Sequence, residues 1–195
     1  MRCVAITKIV IGVTGMPGAG KGIVAEIAEE MHYGVVVMGD IVREETKLRG
    51  LELSPENVGR VTVELRREGG PAIVARRCIP KIQRTRRDIV VIDGIRSLFE
   101  VDELKNHFHL FKLLAIHSSP ETRFKRLFKR RRSDDPSTWK IFSERDRREL
   151  EVGLGNVIAS ADYMIVNEEM KKDLESEIRR FLKNVTKHGR SRDSS

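Results

Sequence analysis

A glycine-rich stretch with a single lysine is the part of this sequence best suited to chemistry. Residues 15–22 read Gly-Met-Pro-Gly-Ala-Gly-Lys-Gly and fit the pattern G-x-x-x-x-G-K. Glycines let the backbone turn so that several N–H groups point into one concavity, which suits an anion. Lys21 adds a mobile positive charge that can reach the β- and γ-phosphates of a nucleoside triphosphate. The spacing therefore predicts a phosphate-binding loop, or P-loop.

The residues on either side of this loop support that prediction. Residues 8–14 are apolar and β-branched, as in a buried strand, and residues 22–31 carry apolar side chains at helical spacing. A helix that begins at the lysine directs the positive end of its dipole toward a phosphate. A bare tight turn is the alternative interpretation. We expect the loop and the first helical turn to contact ATP through Gly15, Met16, Pro17, Gly18, Ala19, Gly20, Lys21, Gly22 and Ile23.

One position departs from the P-loop pattern. A Ser or Thr usually follows the lysine and places its hydroxyl on Mg²⁺, whereas this chain has Gly22 followed by Ile23. If Mg²⁺ is bound, its ligands must therefore be water and carboxylates from elsewhere in the chain. Asp93 ends the apolar run 89–93, and an acid at the end of a buried strand can order water around this hard, oxygen-preferring ion. A turn or helix-cap aspartate is the alternative.

A second apolar run, residues 34–38, also ends in polar groups. Parallel α/β sheets bind ligands at the carboxyl ends of their strands, so Asp40 is a candidate metal ligand through water and a candidate acceptor contact. A role as helix N-cap is equally open for Asp40. Arg43 lies one helical turn later and could face a phosphate.

These segments resemble the adenylate kinases. Their phosphate loop has a proline and a Gly-Lys-Gly ending like residues 15–22, and their acceptor region has a Gly-Asp-x-x-Arg phrase like residues 39–43. The resemblance implies that Arg43 grips the phosphate of a second, phosphate-accepting substrate. Residues 92–97, Ile-Asp-Gly-Ile-Arg-Ser, are similar to the segment that supplies a second such arginine, which corresponds to Arg96.

Residues 44–87 are helical by pattern and interrupt the strands. In nucleoside monophosphate kinases, helices at this place form the acceptor-binding subdomain. Several arginines of this insert are therefore candidate acceptor contacts, although for each one taken singly a solvated helix residue is the favoured interpretation. They are Arg60, Arg66, Arg67, Arg76 and Arg77.

A fourth strand-like run, residues 111–116, is followed by two arginine-rich helices joined by a polar turn. Residues 131–148, between and within these helices, resemble a kinase lid. A lid brings cations to the transferring phosphoryl group and excludes water. By resemblance, Arg126 and Arg130 match the pair that contacts adenine and phosphates, and Arg145 and Arg148 match the returning lid arginines. Arg126 is thus expected to bind ATP, and the other three to act in catalysis. A nucleic-acid-binding face is the alternative.

The last strand-like run, residues 162–167, resembles that of dephospho-coenzyme A kinases. The backbone near Asn167 is accordingly a candidate contact for adenine. A helix is predicted from about residue 171 to 183, followed by a polar tail at 187–195 that we expect to be disordered.

Bulk composition narrows the classes of protein. The 195 residues suit one domain, here 1–186, and 39% hydrophobic content suits a globular fold. No apolar run approaches a membrane span, and Cys3 and Cys78 lack metal-site or disulfide-framework spacing, which suits a reducing cytoplasm. A net charge of +8 is compatible with nucleic acid or with phosphorylated substrates. The sequence does not indicate an oligomeric state.

Nearly the whole chain resembles archaeal adenylate-kinase-related P-loop proteins, notably in residues 93–97, 132–139 and 155–163. The resemblance implies a P-loop NTPase fold: a three-layer α/β sandwich with a five-stranded parallel sheet in the order 2-3-1-4-5. We expect an ATP- and Mg²⁺-dependent kinase of a nucleoside monophosphate or related nucleotide. The alternatives are an ATP-dependent switch or nucleic-acid-binding ATPase, and a dephospho-coenzyme A kinase.

Overall fold

The computed structural model describes residues 8–132 and 135–192 of the chain. Cys3, residues 133 and 134 of the expected lid, and residues 193–195 of the expected tail lie outside the described residues. The described strands are β1 (Ile9–Thr14), β2 (Gly34–Val37), β3 (Ile89–Asp93), β4 (Leu110–His117) and β5 (Tyr163–Val166). The described helices are α1 (Lys21–Glu30), α2 (Met38–Leu48), α3 (Pro55–Gly69), α4 (Ile73–Arg84), α5 (Leu98–His107), α6 (Pro120–Arg130), α7 (Trp139–Glu151), α8 (Leu154–Ala159) and α9 (Lys171–Arg192).

The strands form one parallel sheet in the order β2-β3-β1-β4-β5, which confirms the predicted fold and strand order. Because every strand runs the same way, the carboxyl ends of β1, β2 and β3 meet at one edge of the sheet. Val13 of β1 and Val37 of β2 both pair with Asp93 of β3 there. This edge is where the P-loop leaves the sheet.

A hydrophobic core lies on each face of the sheet, as a three-layer sandwich requires. Successive residues of β1 alternate between the two cores, with Val10 in one and Ile11 in the other. The first core packs against α2, α3, α4, α5 and α8, and the second packs against α1 and α9. Cys78 lies in the first core as a free thiol, and burial raises its pKa to about 12.

Two element boundaries differ from the sequence prediction. β2 ends at Val37 and Met38 begins α2, so Asp40 lies in the first turn of that helix. The N-cap position is Val37, and the alternative of Asp40 as N-cap is therefore wrong. α9 continues to Arg192, past residue 183 and into the segment expected to be a disordered tail, so that expectation is wrong for residues 187–192.

Candidate functional site

The P-loop joins β1 to α1 and is shaped by glycines with positive φ angles. Gly15, Gly18 and Gly20 have φ values of +146°, +83° and +105°. A side chain at Gly15 would lie 2.3 Å from the backbone oxygen of Ile116, so the loop also packs too closely on β4 for any other residue. Backbone conformations and close contacts that favour glycine therefore shape the turn between β1 and α1.

Lys21 begins α1 and folds back over this loop. Its Nζ donates hydrogen bonds to the backbone oxygens of Gly15 at 2.6 Å and Met16 at 3.2 Å. Burial lowers the pKa of Lys21 from 10.5 to about 8, and the positive charges of Arg96 and Arg145 act in the same direction. The negative charges of Asp93 and Glu149 act against it. Lys21 is therefore the centre of a cluster of charges contributed by different elements.

Gly22, the position that usually carries a hydroxyl, faces open space. A side chain there would contact no atom within 4 Å in the described part of the chain, apart from its own helix backbone and neighbours. The glycine is therefore not required by packing. Whatever the loop binds can approach the backbone of the first helical turn at this point.

Asp93 ends β3 beside the P-loop and carries an unsatisfied oxygen. Its Oδ1 is buried and accepts no hydrogen bond from the residues that the structure describes. Burial raises the pKa of Asp93, while the nearby charges of Lys21 and Arg96 lower it. A buried acceptor without a donor is costly in a folded protein. An ion with its bound water, or another donor ligand, would satisfy this oxygen.

The two expected acceptor residues of α2 bind each other. Arg43 donates to the same oxygen of Asp40 from Nε at 3.0 Å and from Nη2 at 2.5 Å. Both side chains are about half exposed. Asp40 thus fits a water-mediated metal site less well than Asp93, because its carboxylate already has a cationic partner.

Arg96 lies in the loop after β3 and is held by two glutamates. Its backbone N–H donates to Glu100, a buried residue that also forms a capping box with Ser97 at the start of α5. Its Nη1 donates to Oε1 and Oε2 of Glu149 at 3.0 and 3.1 Å. The first contact fixes the backbone of Arg96, and the second connects its side chain to α7.

The α7 helix presents one face to the rest of the protein. Phe142 is buried, and Arg145, Asp146 and Glu149 are partly buried, whereas Arg148 is exposed. Positions 142, 145, 146 and 149 have the spacing of one helical face. The structure therefore brings Arg145 to the charge cluster around Lys21 and places Arg148 on the outer face of the same helix.

Arg123 was not among the expected site residues, yet it ties α7 to the P-loop. Its guanidinium is almost fully buried and donates to the backbone oxygens of Ser118 at 3.1 Å and Pro17 at 3.3 Å. It also makes a bidentate ion pair with Asp146, at 2.8 and 2.5 Å, and lies over the ring of Phe142. These contacts fix the position of α7 relative to the loop.

A second connection runs from Arg126 through Asn167 to the loop. Arg126 donates to Ser118 Oγ at 2.9 Å and to Asn167 Oδ1 at 3.2 Å, and Asn167 Nδ2 donates to the backbone oxygen of Ala19 at 2.8 Å. The backbone of Asn167 is also occupied, by the carbonyl of His117 and by the hydroxyl of Ser118. Asn167 therefore supports the P-loop from behind.

Arg130, at the end of α6, makes a bidentate pair with Asp135, with distances of 2.9 and 2.6 Å. This hydrogen bonding lowers the pKa of Asp135. Arg130 thus pairs with a carboxylate five residues further along the chain, in addition to any role toward a ligand.

Most arginines of the helical insert pair with carboxylates. Arg49, the C-cap residue of α2, was not among the candidates and contacts three glutamates on α2 and α3. Arg66 pairs with the buried Glu100, and the remaining pairs are Arg60–Glu64, Arg76–Glu103 and Arg77–Glu45. Ion pairs therefore join the helices of the insert to one another and to α5, which accounts for much of its arginine content without a ligand.

The described residues contain neither a cluster of metal ligands nor a membrane-spanning helix. No group of three or more His, Cys, Asp or Glu side chains is placed to hold a metal ion, and no helix has the length and apolarity needed to cross a membrane. A metal at this site would thus depend on a ligand's oxygens as well as the protein's.

Solved structures of kinases share this fold. Shikimate kinase from Acinetobacter baumannii aligns with a TM-score of 0.59 at 15% identity, over 91% of this chain and 94% of that one. Shikimate kinase from Bacteroides thetaiotaomicron gives 0.62 at 16% identity, over 91% and 98%. At such identities the likeness concerns the fold.

Sequence comparisons define the family. A sequence-family model described as an AAA domain matches residues 14–140, which include the P-loop, Asp93 and Arg96. A UPF0200 protein of Methanocaldococcus jannaschii is 48% identical over 186 residues, covering 92% of this chain and 94% of the relative. A UPF0200 protein of Hyperthermus butylicus is 47% identical over 182 residues, covering 93% and 97%. The chain therefore belongs to the UPF0200 family of P-loop proteins.

Proposed function

We propose that this protein is an ATP-dependent phosphotransferase that acts on a nucleoside monophosphate or a related nucleotide. The observation that carries the proposal is the charge cluster at the carboxyl edge of the sheet. There the charges of Asp93, Arg96 and Arg145 all act on the ammonium group of Lys21. Two further cations from separate elements, the loop after β3 and α7, beside one P-loop lysine suit a triphosphate and a second anionic group better than they suit a triphosphate alone.

In this proposal the backbone amides of residues 15–22 and the ammonium of Lys21 bind the β- and γ-phosphates. Lys21 must then leave the backbone oxygens of Gly15 and Met16, because those contacts occupy its donors. Arg145, and Arg130 and Arg148 after a movement of the lid, would balance charge that develops on the transferring group. Arg126 and Asn167 would hold the loop and the adenine side of the site.

Asp93 is the residue that fits magnesium, since its buried oxygen has no donor among the described residues. Asp40 would join it through water after releasing Arg43. When bound, Mg²⁺ would neutralise charge on the phosphate oxygens. Arg43 and Arg96 would hold the acceptor phosphate. An anionic acceptor needs no obligatory general base, because positioning supplies most of the catalysis.

The experiment is a transfer assay with Mg-ATP and a panel of acceptors, followed by ³¹P NMR. The panel contains the common nucleoside monophosphates, dephospho-coenzyme A and a sample without acceptor. We expect phosphate to appear on one acceptor class, and Lys21→Ala to abolish transfer in a folded protein. Lys125→Ala removes an exposed lysine of α6 that pairs with Glu121, and it serves as the control. Hydrolysis at the same rate with and without every acceptor would contradict the proposal.

Nucleic-acid binding is tested in the same preparation. Aromatic side chains of α6 and α7 pack on one another, since Phe124 lies 5.5 Å from Phe142 and 5.3 Å from Trp139 between ring centroids. This supports a packing role for them over base stacking. If the basic lid binds RNA or DNA, binding will fall steeply with salt concentration.

A further inference from the structure

The side chain of Glu149 is bound to Arg96, the arginine that the proposed function assigns to the acceptor phosphate. Nη1 of Arg96 lies 3.0 and 3.1 Å from the two carboxylate oxygens. The glutamate side chain is only 12% exposed, whereas the arginine side chain is 53% exposed. Arg96 is therefore accessible from solvent but already has a partner, and that partner comes from the lid helix α7.

Glu149 is held in this place by the rest of α7. Glu149 shares a helical face with Asp146, which lies one turn before it, and with Phe142, which lies two turns before it. Asp146 is fixed by its bidentate pair with the buried Arg123, and Phe142 is fully buried. The other acids of α7, Glu144 and Glu151, lie on its exposed side. The contact with Arg96 is thus a consequence of helix orientation rather than of a freely moving surface chain.

The carboxylate also stands within the electrostatic reach of the P-loop. Its charge raises the pKa of Lys21, while those of Arg96 and Arg145 lower it. The charge of Glu149 thus opposes that of the two arginines at Lys21. A carboxylate and a phosphate both offer two oxygens in one plane to a guanidinium, so either can occupy the same donors.

We propose that Glu149 is a specificity-determining residue that occupies Arg96 until an acceptor replaces it. This inference rests on the proposed function. An acceptor can release Arg96 only by bringing its own phosphate or carboxylate to the guanidinium. A neutral alcohol has no group to exchange and leaves the pair intact. The site therefore selects acceptors that carry an anionic group, and it keeps the arginine neutralised when they are absent.

The first test measures anion binding without any assumption about the acceptor. With the P-loop filled by a non-hydrolysable ATP analogue, inorganic phosphate is titrated into the wild type, Glu149→Gln and Glu151→Gln by calorimetry. Losing a partly exposed competing ion pair should tighten phosphate binding by about twofold to fivefold in Glu149→Gln alone. Adding Arg96→Ala to that variant should remove the gain. Unchanged, weaker or undetectable phosphate binding in Glu149→Gln would overturn the inference.

The second test uses whichever acceptor the transfer assay identifies. Glu149→Gln should lower the acceptor KM and change kcat by less than about twofold, because only ground-state competition is removed. A hundredfold loss of kcat at constant KM would identify Glu149 as a general base for a hydroxyl and reject the inference. The two proposals fail separately. If phosphate is transferred but the acceptor KM is unchanged, the proposed kinase activity stands and the role of Glu149 is rejected. If Glu149→Gln tightens phosphate binding but no acceptor gains phosphate, the exchange at Arg96 stands and the kinase activity is rejected.

Discussion

Removing Asp146 should destabilise the protein strongly, since Asp146 pairs with one of the most deeply buried charges described. The side chain of Arg123 is 4% exposed and that of Asp146 is 15% exposed, and two short hydrogen bonds join them. In Asp146→Ala the guanidinium keeps the backbone oxygens of Ser118 and Pro17 but loses its counter-charge. Breaking one side of a buried pair costs about 3–5 kcal/mol.

That cost is measurable in a chain of this size. For domains of 150–250 residues, 1 kcal/mol lowers the melting temperature by roughly 2–4 °C, so a fall of about 6–20 °C is expected. The free energy of unfolding is obtained from urea titration followed by circular dichroism. Glu151→Ala is the matched control on the same helix, because its pair with Arg147 is exposed and 3.9 Å long. That control should stay within about 0.5 kcal/mol of the wild type.

A double variant separates the charge from the packing. Replacing both partners, as Arg123→Met with Asp146→Leu, leaves no unpaired charge and should cost far less than Asp146→Ala. It should nevertheless slow phosphoryl transfer, because Pro17 of the loop and α7 lose their common contact. The reasoning is refuted if Asp146→Ala costs less than about 1 kcal/mol, or if the double variant costs at least as much.

Three further outcomes follow from the residues at the carboxyl edge. Lys21 has a pKa of about 8 in the folded chain and 10.5 as its ordinary value, so the unfolded chain binds more protons between these pH values. The free energy of unfolding should therefore rise with pH in this window. The affinity for ATP, measured by calorimetry, should fall above pH 8 in the wild type and stay constant in Lys21→Arg. Burial raises the pKa of Asp93, so Asp93→Asn removes an unfavourable buried charge and should not lower the free energy of unfolding measured by urea titration. The same variant should abolish Mg²⁺-dependent transfer. A clear loss of stability would contradict this account of Asp93. Gly22→Ser fills open space within a helix, so it should raise the melting temperature slightly and lower the Mg²⁺ concentration needed for transfer. An unchanged Mg²⁺ requirement would show that this position does not face the metal.

The fold could be predicted from the sequence because its signals are local. Each strand is a short apolar run, and each crossover is a helix with its own apolar spacing. The boundary at Met38 was missed since an apolar residue is buried equally well at the end of a strand or in the first turn of a helix. The end of α9 was missed because a formed helix can extend through polar residues at little cost.

The candidate site could be predicted only where a motif carries the chemistry. The P-loop, Asp93 and Arg96 stand at the ends of strands, and the sheet brings them together around Lys21. Arg123, Asp146 and Glu149 were missed because their partners are 23 or more residues away in the chain. One signal was available: positions 142, 145, 146 and 149 share a helical face, and a face that combines Phe, Arg, Asp and Glu indicates buried ion pairs.

The acids of this site explain how it can fold before it binds anything. Arg96 and Arg145 repel the ammonium group of Lys21, and the burial of Lys21 makes that repulsion stronger than it would be in water. Asp93 and Glu149 supply negative charge among them, from the end of β3 and from α7. Phosphate groups can pair with these cations in place of the carboxylates, but the carboxylates remain nearby because they are part of the folded chain. An anion that enters must therefore compete with carboxylates already present, and this favours ligands that bring several negative charges at once, as a triphosphate does.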